Sequence, residues 1–371
     1  MANGDVVVLT GLPSLLARAV CLEILRSDDS ARVEAIVRTK FAEEVRAILD
    51  ELPMAHRERV HVLEGDAAAI DLGLSGAEHK ALARDATLIH HCAEVTYLGV
   101  DRETAEHVNV GGAREAVELA ASCEKLRCLV FHSTAYVSGN RRGRVLESEL
   151  EAGQAFRNVV EETKARGEKI VRSAMGRLPI AVMRPATIVG DSQTGDVDRF
   201  DGPYLLILLV VTSPPDFALP LPGRGDESLH LVPIDWVARA SVALGRDPRS
   251  RGRTFHLVDP NPPPARRVFE LVARAGGRRA PRGSIPATLA KALLRAPGLE
   301  RIAMSPRTFL ETLTTPVTYD ARNADELLAA LDIPACPQLE SYIDKLVEYV
   351  QERVRQRRAR DADVEIDDPL G

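Results

Sequence analysis

The chain has 371 residues, 45% of them hydrophobic, and a net charge of −6 at pH 7. That length accommodates one large α/β domain plus a smaller lobe, and the acidic balance argues against a nucleic-acid binder. No apolar run reaches the ~18 residues of a membrane span, no signal peptide opens the chain, and five cysteines without metal spacing suit free thiols in a reducing cytoplasm.

The organising stretch comes first. Val6 to Leu9 read as a buried parallel strand. Thr10-Gly11 turn the chain, and Leu15, Leu16, Ala19, Val20 and Leu25 recur at helical spacing. A strand, a tight turn and a helix N-terminus make an anion site, because free backbone N–H groups and the helix dipole point at it. The expected ligand is a dinucleotide pyrophosphate, contacted by Thr10, Gly11, Pro13, Ser14 and Leu15. The glycine fingerprint is altered: Ser14 and Ala17 stand at the second and third glycine positions. Ala is an accepted variant there; the Ser14 hydroxyl can donate to phosphate instead. An ordinary βα turn without a ligand is the competing reading.

A second strand, Val33–Val37, ends at Arg38. An Arg there accommodates a 2′-phosphate, whereas an acid would bond the ribose hydroxyls, so NADPH is favoured over NADH. A plain surface Arg is the alternative. Phe41 to Leu52 form an amphipathic helix, and a third strand from Val60 ends at Gly65-Asp66, where the Asp can reach an adenine amino group. Strands follow at 86–93 and 129–134, with a helix opening near Asn109 between them. A charged helix from Phe156 to Ala174 precedes a strand from Ile180 to Gly190 that Pro185 breaks. This alternation predicts a doubly wound, Rossmann-type parallel sheet whose strands' carboxyl ends form the ligand crevice. His230–Val237 and Thr254–Val258 are expected as further strands, and Ser341–Arg360 as an amphipathic helix before a mobile acidic tail. The domain expectation is a nucleotide-binding core over 1–190, a substrate lobe with strands returning to the core over 191–340, and the C-terminal helix and tail over 341–371. Apolar Leu205 to Val211, with Pro214, Pro215 and Phe217, can line an acyl tunnel or form the lobe's own core. The C-terminal helix can pack on the first domain or on a second subunit, which leaves a homodimer open.

In this order, Thr10-Gly11, Arg38, Gly65-Asp66, Asn109, Ser133 to Gly139, Lys164, Arg184-Pro185, Gly190 to Gly195, Asp201 to Tyr204, Val232 to Asp235 and Gly252 to His256 resemble the extended short-chain dehydrogenases/reductases. Within them the chain looks most like the fatty acyl-CoA reductase and thioester reductase branch. The resemblance covers roughly residues 4–260. It implies cofactor contacts at Ala93, Lys164, Pro185 and Ile188 as well. It also implies a catalytic Ser/Thr, Tyr and Lys, with the Tyr four residues before the Lys on one helical face. The Lys ammonium holds the nicotinamide ribose and lowers the tyrosine pKa, the Tyr moves the proton, and the hydroxyl bonds the substrate oxygen where charge develops. Thr134 fits the hydroxyl position, with Ser133 as its alternative, and Lys164 fits the lysine position.

The tyrosine position is Val160, and no tyrosine lies between Tyr136 and Tyr204. Loss of a positioned acid costs about 10²–10⁴-fold in rate. Lys164 then has a bland alternative, pairing with Glu168 at i,i+4. Tyr136 is a substitute acid if the strand continues, since alternation puts it on the face of Thr134; a structural role is the alternative. His90, His91 and His132 end central strands and are either acids near the nicotinamide or packed histidines. No metal-site spacing is present. The expected function is NADPH-dependent reduction of a small-molecule acyl thioester or aldehyde. The alternatives are a nucleotide-binding pseudoenzyme or regulatory subunit, and a non-redox lyase or isomerase acting on a thioester-linked substrate.

Overall fold

The computed structural model describes residues 4–97, 99–200, 202–214, 221–222, 224–285 and 316–367. Seven strands form the central sheet: β1 (Val6–Thr10), β2 (Arg32–Val37), β3 (Val60–Glu64), β4 (Leu88–His91), β5 (Cys128–His132), β6 (Ile180–Pro185) and β7 (Arg253–Leu257). Their order is β7-β6-β5-β4-β1-β2-β3, all parallel. The order reverses between β1 and β4, and this switch point is where a doubly wound sheet opens its crevice. The doubly wound parallel sheet expected from the sequence is therefore present.

Helices cover both faces, so the inner strands carry apolar residues almost continuously. Val7, Val8 and Leu9 are fully buried. On one face Val8, Ile89, Leu129, Phe131 and Val182 share a core with Leu82, Val117 and Val171 from three helices. On the other, the helix Leu15–Ser27 packs beside Ile234–Arg246. Fully burying one such aliphatic side chain is worth about 1.5–3 kcal/mol.

The chain divides into two compact units. The first takes in Met1–Ile188, Ile234–Pro260 and Val317–Cys336 and holds the whole sheet. Its last segment returns as a short strand, Val317–Tyr319, parallel to Gly143–Val145. The Glu147 carboxylate, buried, then accepts the amides of Asn323 and Ala324 at the start of a helix. The second unit takes in Val189–Pro233, Asn261–Pro316 and Pro337–Gly371. Its centre is the helix Tyr204–Thr212, apolar on every side and buried among Leu271, Val272, Leu346 and Val350. A helix hydrophobic all round belongs in a core. Leu205 to Val211 thus make the unit's interior, as one of the two sequence readings had it. Asp201, Pro215 and Phe217 lie outside the described residues.

Three expectations change. Only Leu231–Pro233 is a strand in the stretch 230–237, because Ile234 to Arg246 coil into a helix that buries Trp236, Val237, Ala240 and Leu244 at helical spacing. The strand expected to run through Thr134 stops at His132. The acidic tail is helical as far as Asp367: no glycine or proline interrupts the helix Ile343–Asp367.

Candidate functional site

The first βα turn is built around Gly11. Its φ of +101° is left-handed, and a Cβ there would lie 2.6 Å from the Cys92 carbonyl and 2.8 Å from the Ala93 nitrogen. Only glycine lets β4's end cross so close. Thr10, buried, ties the two strands: its Oγ1 accepts the Ala93 amide at 3.1 Å and lies 3.2 Å from His91 Nδ1. Pro13 follows a cis bond from Leu12 and Ser14 caps the helix, its Oγ accepting the Ala17 amide at 3.3 Å. The residue that departs from the glycine fingerprint is therefore a helix N-cap. The amides of Leu15 and Leu16 at the helix start have no protein acceptor among the described residues, which is the donor set an anionic phosphate takes. Arg38 and Asp66 end neighbouring strands and pair at 3.3 Å, with side chains 46% and 31% exposed. Such an exposed pair is worth ~1 kcal/mol or less, so a phosphate can compete for Arg38.

Deeper in the crevice, the three histidines are buried. Burial drives His90 and His91 down to about 3 and His132 well below its ordinary value. They are neutral near pH 7. His91 stacks on Phe131 at 5.6 Å between centroids, and His90 Nδ1 lies 3.4 Å from His132 Nε2. These are packed side chains, not acids.

Lys164 is buried on the helix Val159–Ser173, whose start Asn158 caps. Its Nζ donates to Glu94 Oε2 at 2.5 Å and to the His132 carbonyl at 2.6 Å. The i,i+4 partner offered by sequence spacing, Glu168, is engaged elsewhere. Glu168 and Arg184 are both fully buried and ion-paired, with Arg184 Nη2 2.5 Å from Oε1. Burial raises the Glu168 pKa, but the Arg184 charge and its hydrogen bonds, with that from Ser133, leave it lowered overall. Ser133 Oγ donates to Glu168 Oε2 at 2.6 Å. Ser133 is thereby occupied, and Thr134 is the half-buried hydroxyl at the end of β5. Thr134 Oγ1 accepts the Tyr136 amide at 3.3 Å and makes only a long, 3.5 Å contact with the carbonyl of Pro185, which ends β6.

Tyr136 does not share a strand face with Thr134. Ala135–Ser138 form a single tight helical turn, and the Tyr136 hydroxyl lies 2.5 Å from Thr187 Oγ1. Burial also raises its pKa, which makes it a poorer acid. Val160 sits half-buried in the first turn of the Lys164 helix. Ala93 and Ile188 are half-buried at 93 and within the short strand Thr187–Val189.

Glu94 was not singled out by the sequence reading. The only signal was an acid immediately after a strand end. Its neighbours are fixed: Asn109 Oδ1 accepts the Val95 amide at 2.9 Å, and Asn109 Nδ2 donates to the Val95 carbonyl at 3.1 Å and to Thr163 Oγ1 at 3.0 Å. Gly167 lets this helix approach, since a Cβ there would lie 2.4 Å from the Asn109 carbonyl oxygen.

A doubly wound sheet with a phosphate-type turn, a strand-end hydroxyl and a buried helical lysine defines a nucleotide-binding fold of the extended short-chain dehydrogenase type. Residues 9–241 match the NAD-binding family model described as male sterility protein, and the chain belongs to that family of acyl and thioester reductases. Fatty acyl-CoA reductase wat of Drosophila melanogaster is 22% identical over 281 residues, covering 65% of this chain and 54% of that protein. Carboxylic acid reductase of Mycobacterium marinum is 26% identical over 285 residues, covering 68% and 24%. The chain thus spans about half or less of these curated relatives. Among solved structures, the terminal R domain of the myxalamid PKS-NRPS pathway aligns with a TM-score of 0.79 at 24% identity, covering 95% of this chain and 92% of that one. The R domain of a non-ribosomal peptide synthetase from Mycobacterium tuberculosis aligns with a TM-score of 0.67 at 22% identity, covering 92% of each. No helix among the described residues is long and apolar enough to cross a membrane.

Proposed function

We propose that the protein is an NADPH-dependent reductase of an acyl thioester or aldehyde. The observation that carries this reading is the pairing of Thr134, half-buried at the end of β5, with Lys164, whose ammonium is fixed on the carbonyl of His132 two residues earlier. The names of the relatives, reductases of fatty acyl-CoA and of carboxylic acids, support the substrate class. The free thiols support a reducing, cytoplasmic setting.

The residues present fit the cofactor. The amides of Leu15 and Leu16 would take the pyrophosphate, Arg38 the 2′-phosphate and Asp66 the adenine side. When bound, NADPH supplies the hydride. Thr134 donates a hydrogen bond to the substrate oxygen as negative charge builds there, and that charge is what an oxyanion donor stabilises. Arg38→Glu is expected to weaken NADPH binding by about tenfold or more, the scale of one charge-assisted hydrogen bond, and NADH binding far less. Nicotinamide fluorescence titrations measure both; equal losses would contradict the role given to Arg38.

A second reading has a specific observation in its favour. Val160 holds the tyrosine position, and the Lys164 ammonium already has an acid partner in Glu94. A nucleotide-binding pseudoenzyme fits those two facts. Assaying NADPH binding and acyl-CoA turnover on the same preparation separates the readings: tight binding with no turnover selects the pseudoenzyme.

A further inference from the structure

We propose that Lys164 and Glu94 take over the proton work of the missing tyrosine. Lys164 hands a proton to the substrate oxygen, and Glu94 restores it from solvent. This rests on the reductase reading above.

An ammonium has three N–H donors. Glu94 and the His132 carbonyl take two of them, and no protein acceptor takes the third among the described residues. A buried donor left without a partner is costly, so the third N–H is matched to a group that arrives with the substrate. Lys164 is only 3% exposed, whereas the Glu94 side chain is 17% exposed. Glu94 therefore joins a dry ammonium to water. Its place is built: Ala93 is held by Thr10, and Val95 by Asn109, which also holds Thr163 beside Lys164. The other acids near the strand ends are spent. Val160 carries no proton, the Tyr136 hydroxyl is bonded to Thr187, and the three histidines are buried and packed.

The step balances. A bound NADPH would supply hydride to the carbonyl carbon; Lys164 gives an N–H proton to the oxygen, so that a thioester becomes the hemithioacetal. Its C–S bond then breaks, and the hydroxyl proton passes to sulfur, leaving aldehyde and thiol. The neutral amine of Lys164 is reprotonated from water through the Glu94 carboxylate. The sum is thioester, NADPH and a proton to aldehyde, thiol and NADP⁺. In this scheme Lys164 is the catalytic residue, and Glu94 positions and reloads it.

The test is Glu94→Gln, which keeps shape and an acceptor but loses charge and proton capacity, with Glu94→Asp beside it. Both are made in wild type and in the Val160→Tyr variant, and folding is checked by thermal melting. With NADPH and an acyl-CoA, E94Q is expected to lower kcat by about a hundredfold, the lower range for general acid loss, while the Kd for NADPH, read by nicotinamide fluorescence without substrate, changes less than about threefold. Asp should restore part of the loss. In the Val160→Tyr background, where a phenol supplies the proton, E94Q should cost less than about threefold. Unchanged kcat, a loss confined to KM, or an equal kcat loss in both backgrounds would overturn the proposal while leaving the reductase reading intact. A wild-type protein with no turnover would remove both.

Discussion

Val160→Tyr is expected to raise aldehyde reduction about a hundredfold. The variant restores a proton donor one helical turn before Lys164, and helical spacing puts residues 160 and 164 on one face. The ammonium of Lys164 is already fixed beside the end of β5, so a phenol placed there meets a cation that lowers its pKa. A positioned acid contributes about 10²–10⁴-fold; the Lys164–Glu94 pair already supplies about the lower figure, so about a hundredfold remains to be gained. Steady-state kcat with an aldehyde and NADPH measures it. Unchanged activity in a folded variant would mean that residue 160 does not face the reacting carbonyl.

The second large effect is on stability. Arg184→Met is expected to cost about 3–5 kcal/mol, because it takes from the fully buried Glu168 carboxylate its close, hydrogen-bonded cation and leaves only Arg172, 3.7 Å away. Arg184 also donates to the carbonyl of Glu149 at 2.8 Å, so the loss loosens the segment that leads to Glu147 and the returning helix. Denaturant unfolding at constant m-value reads the change. The double variant Arg184→Met with Glu168→Met should recover much of the loss, since an apolar pair can replace a buried ion pair. A single-variant loss below about 1 kcal/mol would place the pair in a wetter, weaker class of salt bridge.

The sheet was legible because burial on both faces writes inner strands as unbroken apolar runs, as in Val6–Leu9 and Leu129–Phe131. Gly11 was legible because turn geometry limits what can stand there, and Arg38 was legible as the end of a strand. Ser14 was harder: a serine in a glycine slot looks like damage until its hydroxyl is seen capping the helix. The stretch 230–237 misled because three strand residues run directly into a buried helix without a polar break. The surrogate role weighed for Tyr136 depended on a strand continuing past Thr134, and that strand stops at His132. The partner of Lys164 was invisible, since Glu94 lies 70 residues away and no local spacing reports that contact. Glu168 illustrates the same limit from the other side. Local spacing offered it to Lys164, and the fold gave it to Arg184 instead.

The most direct measurement mixes the protein with NADPH and an acyl-CoA and follows nicotinamide absorbance together with free thiol. The account predicts that NADPH is consumed and thiol released mole for mole, faster with NADPH than with NADH. Protein that is folded but consumes no NADPH and releases no thiol with any acyl-CoA or aldehyde would contradict it.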